Sequence, residues 1–236
     1  MGQVVYTKYF IMKKFLLSIA VLAVSISACK KNNNAPANTA GVMFAHGCAA
    51  GAATVNLDAL DNGKAVSGAT NMAFLRNSGY QNLTAGAGMN LAFNATGLSA
   101  LTSGSVTLVA NNHYTAFAGG SITAPVFVFT SDDLTAPTTG NAKVRFINLC
   151  PDGLNTSCYI GTTKLDSNVG YKSCTQYFEV APSTGKVAMI DQVVLANSAV
   201  LNGQSIAAGK IYTFMLTGTV AGSGTSVLTL TPINNN

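Results

Sequence analysis

KVRFINLC, residues 143–150, decides the fold, because the chain has already used a version of it, GVMFAHGC, at 41–48. Val42 falls on Val144, Phe44 on Phe146 and Cys48 on Cys150. In KVRFIN, Val144 and Phe146 share one face while Arg145 takes the other, the alternation expected of a half-buried strand. The correspondence continues along the chain. SGYQNL (78–83) resembles VGYKSC (169–174), and LVANNHYTAFAGG (108–120) matches IAAGKIYTFMLTG (206–218), setting Tyr114-Thr115 on Tyr212-Thr213. Each copy then closes on an apolar strand, PVFVFT (125–130) and SVLTLT (226–231). Matches in one unbroken order are the mark of an internal repeat.

Each copy consists of short runs rich in Val, Ile, Thr, Tyr and Phe, separated by turn signals such as LDNG (60–63), PDGLN (151–155) and AAGK (207–210). Asn62-Gly63 suits a two-residue hairpin, since both residue types tolerate positive φ. No long segment of the two copies carries a 3.6-residue apolar period. About seven short strands per copy without helix predict an all-β protein of two tandem immunoglobulin-like β-sandwich domains. The first spans 41–131 and the second 142–236. Between them, 132–141 is a linker rich in Pro, Gly and Thr, with Asp132 and Asp133 expected in solvent.

Residues 142–180, AKVRFINLCPDGLNTSCYIGTTKLDSNVGYKSCTQYFEV, resemble the opening of a DUF4397 domain. The shared features are an R-F-hydrophobic-N strand, a Pro-Asp turn, a short hairpin and a strand bearing Gly-Tyr; IAAGKIYT (206–213) matches a late strand of the family. The second copy fits nearly end to end. The first fits more loosely, because Gly47 to Ala49 lack the Pro-Asp turn and Leu108 to Tyr114 lack the Gly-Lys pair. The resemblance implies tandem β-sandwich modules of the kind common in lipoproteins of Bacteroidetes-type bacteria, and it implies no activity.

The start of the chain supports that habitat. Lys13 and Lys14 precede an apolar run of a dozen residues, Phe15 to Ile26, the pattern of a secretory signal peptide. The run is too short for a transmembrane helix, which needs about 20 apolar residues. Ile26-Ser27-Ala28-Cys29 resembles the bacterial lipobox, which implies cleavage after residue 28 and lipidation of Cys29. Acyl chains each burying many methylenes make a near-permanent tether. Residues 1–28 are thus expected to be a signal peptide, with Met12 the natural start, and 29–40 a disordered tether that reads KKNNNAPANTA after the cysteine. No Asp follows Cys29 to hold the protein at the inner membrane. The expected location is the outer membrane, lipid-anchored, facing either the periplasm or the cell surface.

The net charge of +5 points to nucleic acid until the charges are placed. Lys8, Lys13 and Lys14 belong to the leader, and Lys30 and Lys31 to the tether. The remaining eight basic residues match the eight acidic ones, so the folded part has no basic footprint for phosphate, and no nucleic-acid partner is expected. Only 9% of residues are charged, against about 25% in ordinary domains. Asn, Thr, Ser and Gly supply the polar surface, as suits an extracytoplasmic β-rich protein.

Four cysteines follow Cys29. Cys158 and Cys174 occur only in the second copy, where the alignment sets Asn56 and Leu83 opposite them; in an oxidising compartment they are expected to pair as a disulfide. Cys48 and Cys150 occupy equivalent positions and are expected to be small buried hydrophobes, the alternative being a bridge between domains. Neither spacing suits a metal, which wants close-set ligands. His46 aligns with Asn148 and His113 with Ile211, so both histidines read as strand-end residues. Asp58 and Asp61 in LDALDNG lack the alternating ligands and terminal Glu of a calcium loop. No nucleophile, base and orienter assemble from the motifs; no catalytic, cofactor or metal site is expected. Tyr159, Tyr171, Tyr177 and Phe178 either form a binding strip in the second copy or fill its core. The expected function is a non-enzymatic, lipid-anchored binding or scaffolding module whose partner is an envelope protein or a glycan. The alternative is an accessory domain of an envelope enzyme, or a hydrolase acting on glycans.

Overall fold

The computed structural model describes residues 38–49, 55–95, 100–152 and 154–236. Cys29, the signal-like segment and nearly all of the expected tether lie outside the described residues.

The first copy contains β1 (Thr39–His46), β2 (Leu57–Asp61), β3 (Lys64–Ala65), β4 (Asn77–Thr84), β5 (Gly86–Ala95), β6 (Ala100–Leu108), β7 (His113–Ser121) and β8 (Ala124–Asp132). The second repeats the plan with β9 (Ala142–Asn148), β10 (Thr156–Ile160), β11 (Thr163–Val169), β12 (Phe178–Val180), β13 (Ser183–Asp191), β14 (Ser198–Ile206), β15 (Ile211–Thr217) and β16 (Thr229–Asn234). Each copy has two four-stranded sheets. Their orders, β4-β1-β7-β8 with β3-β2-β5-β6 and β12-β9-β15-β16 with β11-β10-β13-β14, are identical strand for strand. The repeated motif forms the centre of its sheet, with β1 parallel to β7 and β9 parallel to β15.

Local chemistry explains the hairpins. Asn62 (φ 47°) and Gly63 (φ 81°) turn β2 back onto β3, both with the positive φ their sequence allows. Alternation explains the cores. Val42, Phe44, Leu57, Leu91, Phe93 and Ala116 pack between the sheets of the first copy; Val144, Phe146, Cys158, Val187, Met189 and Phe214 do so in the second.

A third cluster joins the copies. Met43, Ala45 and Phe117 of the first copy meet Ile147, Leu149, Met215 and Ile233 of the second. These are the residues on the outward faces of the β1 and β9 sheets, so the two sandwiches stack sheet against sheet in four layers. Small residues permit the approach: a side chain at Gly47 or Gly119 would strike Leu149. The half-buried reading of KVRFIN is therefore corrected, because every residue of β9 is buried. The second face of the strand is covered by the other copy.

Candidate functional site

The polar centre of the molecule lies in that interface. Arg145 sits on β9 among apolar neighbours, and its side chain is 2% exposed. Its Nη2 donates to Asp132 Oδ1 at 2.6 Å, its Nη1 to the Ser131 carbonyl at 2.9 Å, and its Nε to Thr213 Oγ1 at 2.9 Å. The Tyr177 ring lies 4.6 Å from the guanidinium carbon, a cation–π contact. Asp132, at the end of β8, also accepts from Tyr80 Oη and Thr115 Oγ1, each at 2.6 Å. Thr213 Oγ1 donates to Asn235 Oδ1 at 2.8 Å, and Asn235 Nδ2 donates to Tyr80 Oη at 3.2 Å. The network closes on itself across the two copies. Burial alone would lower the Arg145 pKa, but the Asp132 charge and hydrogen bond, together with the neighbouring Cys174 and Tyr177, outweigh it and hold the guanidinium protonated. Burial and the Asp132 carboxylate push the Tyr80 hydroxyl well above its ordinary range. Asp132 was expected in solvent; it is instead a buried strand residue, and the pairing was missed because its partner comes from the other copy. The signal was Arg145 itself, a cation set between Val144 and Phe146 in the strand.

The register makes this network a modified pair of equivalents. Met43 lies opposite Tyr80, and Phe178 opposite Val144, which sets Tyr177 beside Arg145. Tyr80 and Tyr177 therefore correspond, as do Thr115 and Thr213. His113 faces Asp132 across β7 and β8, and Asn235 donates to Ile211 in the same place of the second copy, so Asp132 and Asn235 also correspond. Only one half carries the charges. Next to the cluster is an open groove of about 580 Å³ lined by Phe129, Thr130, Asp133, Cys174, Gln176 and Tyr177.

His46 resolves in the same way. Its Nε2 lies 2.9 Å from the Val55 carbonyl, and its Nδ1 accepts from the Cys48 amide at 3.3 Å. Asn148 makes the same pair of bonds, from Nδ2 to the Leu154 carbonyl (2.9 Å) and to Oδ1 from the Cys150 amide (3.0 Å). His46 is a strand-end tie whose pKa burial lowers, the Val55 bond opposing. His113 packs edge-on to Tyr80 with ring centroids 5.1 Å apart. Asp58 accepts from the Asn71 amide and Asp61 from Asn62 Nδ2, so both hold turns. Among the described residues no group of three or more His, Cys, Asp or Glu side chains could hold a metal ion.

The cysteines correct the expected bridge. All four described cysteines are free. Cys158 points into the core of the second sandwich, whereas Cys174 lies opposite Ile147 and packs on the interface cluster, across the β9 sheet. A disulfide cannot pass through a sheet. The alignment misled because it ignored register. Phe44 N donates to Ser78 Oγ and Phe146 N to Thr175 Oγ1, so the counterpart of Cys174 is Asn77 and not Leu83. Strand pairing likewise sets Ala59, not Asn56, in the place of Cys158. Cys48 and Cys150 are buried in the first and second cores, where burial pushes their thiols up to about 12 and about 11.

Tyr159, Tyr171, Tyr177 and Phe178 do not form one strip. Phe178 packs into the core, Tyr177 stacks under Arg145, and the Tyr171 hydroxyl reaches Gly120 of the first copy. Tyr159 is half-buried on β10, beside Ala188 in the outer sheet.

The second copy and the first both match one family model, described as a domain of unknown function, DUF4397, over residues 145–236 and 40–155. No curated protein matches the chain. A solved structure of a candidate cell adhesion protein from Bacteroides uniformis is similar at 12% identity and a TM-score of 0.25, covering 84% of this chain and 98% of that one. With matches spanning both repeats and nearly all of the described residues, the chain belongs to the DUF4397 family.

Proposed function

We propose that this protein is a non-enzymatic, lipid-anchored module of the bacterial cell envelope that binds or scaffolds a partner at the outer membrane or cell surface. The observation that carries the reading is the use made of the buried reactive groups. Asp132, Arg145, Tyr80 and His46 are engaged with one another or with backbone, as ties between strands and between copies. Two modules so joined present their loops in a constant relation, which suits recognition by shape. The low surface charge favours an envelope protein or a glycan over nucleic acid. Ile26 to Cys29 supply the lipobox-like signal for attachment. The test is metabolic labelling of producing cells with a palmitate analogue. The full chain should take the label and fractionate with membranes, and Cys29→Ala should lose both. A Cys29→Ala variant that labels as well as the native chain refutes the anchor.

A further inference from the structure

The charged interface faces inward, but one end of the second sandwich shows the opposite chemistry. Val193, Val194 and Leu195 form the turn between β13 and β14 and are 84%, 47% and 72% exposed. Val220 and Val227, also exposed, lie in the connection between β15 and β16. Five of the seven large exposed hydrophobic side chains among the described residues belong to these two loops. Topology brings the loops together. β9 and β15 are parallel and end at the same side. β10 starts there, because Asn148 at the end of β9 bonds the Leu154 carbonyl, and Thr156 pairs with Asp191 at the end of β13. The backbone amide of Val220 bonds Asp152 in the adjoining connection.

These loops are held, not loose. Asp191, buried at the neck of the turn, accepts from the Val193 amide at 2.9 Å and from Asn197 Nδ2 at 3.4 Å. The Gln192 amide donates to the Asn155 carbonyl and the Asn197 amide to that of Val194. In the second loop the Thr219 amide donates to Ser226, and a side chain at Gly218 would strike the Val227 carbonyl. An aliphatic tip on a fixed neck, kept in water, is the form of an anchor that enters a preformed pocket with little ordering cost.

We propose that the 192–197 turn, with the 218–228 loop beside it, is the docking surface for a partner protein that offers an uncharged, aliphatic-lined pocket. This rests on the reading of the chain as a binding module and names the surface that reading lacks. Charge selects the partner class: residues 192–197 and 218–228 contain no charged side chain. They also contain no Lys, Arg, Trp or Tyr, the residues that seat a protein loop at a bilayer interface.

The test uses the full chain in producing cells, with a benzophenone amino acid placed at Leu195 or, as control, at exposed Thr162 on the other end of the same sandwich. Irradiation should join Leu195 to one discrete protein, should not do so from Thr162, and Val193→Ser should reduce the Leu195 adduct several-fold. An adduct bearing only phospholipid mass would assign the loops to a bilayer, and one of twice the chain mass would assign them to a second copy. Either of these, equal labelling from Thr162, or no adduct overturns the proposal. Loss of the palmitate label with a retained Leu195 adduct would reject the anchor alone.

Discussion

Replacing Asp132 by Ala removes the one carboxylate that balances Arg145 in a place water does not reach. The Arg145 side chain is 2% exposed and that of Asp132 is fully buried, so neither group has solvent as a substitute partner. Breaking one side of such a pair costs about 3–5 kcal/mol, because a charge is left buried alone. Thr115 and Tyr80 both lose the acceptor of their hydroxyls as well, and Asn235, which donates to Tyr80, does not replace it, so the upper half of that range is expected. With a urea m-value of about 3 kcal/mol/M for a chain of this size, the midpoint should fall by about 1–2 M in urea unfolding followed by circular dichroism. Arg145→Met should cost a similar amount by stranding the carboxylate. The double variant decides the matter. With both charges gone and a side chain of comparable length in the cavity, it should be more stable than either single variant, giving a coupling of about 3 kcal/mol. A loss below about 1 kcal/mol for Asp132→Ala, or a double variant whose loss equals the sum of the singles, would refute the claim that this pair joins the copies.

Two further outcomes follow from the histidine and the thiols. His46→Asn should retain most stability, since Asn148 already makes the same two bonds in the second copy, whereas His46→Ala should lose about 2–4 kcal/mol by leaving the Cys48 amide and Val55 carbonyl without their partner. Because burial lowers the folded pKa of His46, protonation favours the unfolded chain; native stability should fall as pH drops below about 6.5, and less so in His46→Asn. Equal damage from both variants, or equal pH slopes measured by urea midpoints, would show that the ring does something else. Alkylation after denaturation without reduction should modify Cys48, Cys150, Cys158 and Cys174 alike, while the native fold protects Cys48 and Cys150, whose thiols stand at about 12 and about 11. A linked peptide joining Cys158 to Cys174 would contradict their placement across the β9 sheet.

The amino-acid sequence by itself determined the elements that depend on neighbours along the chain. Period-two alternation, the Asn62-Gly63 turn and the order of the repeats were enough for two all-β sandwiches of one family, because strand faces and positive-φ turns are local properties. The roles of His46 and Asn148 were also foreshadowed, since they occupy one position of the repeat. What only the tertiary structure decided were relations between residues of different copies or strands. A strand buried on both faces carries the same alternating Arg whether that residue meets solvent or Asp132 from the other sandwich. Cys158 and Cys174 looked like partners until register put them on opposite faces, because a shift of one residue reverses every side chain and alignment by composition does not see it. The exposed Val193-Val194-Leu195 turn is legible as a short apolar run, but such a run is core or surface according to what packs on it, and packing is a property of the assembled sheets alone.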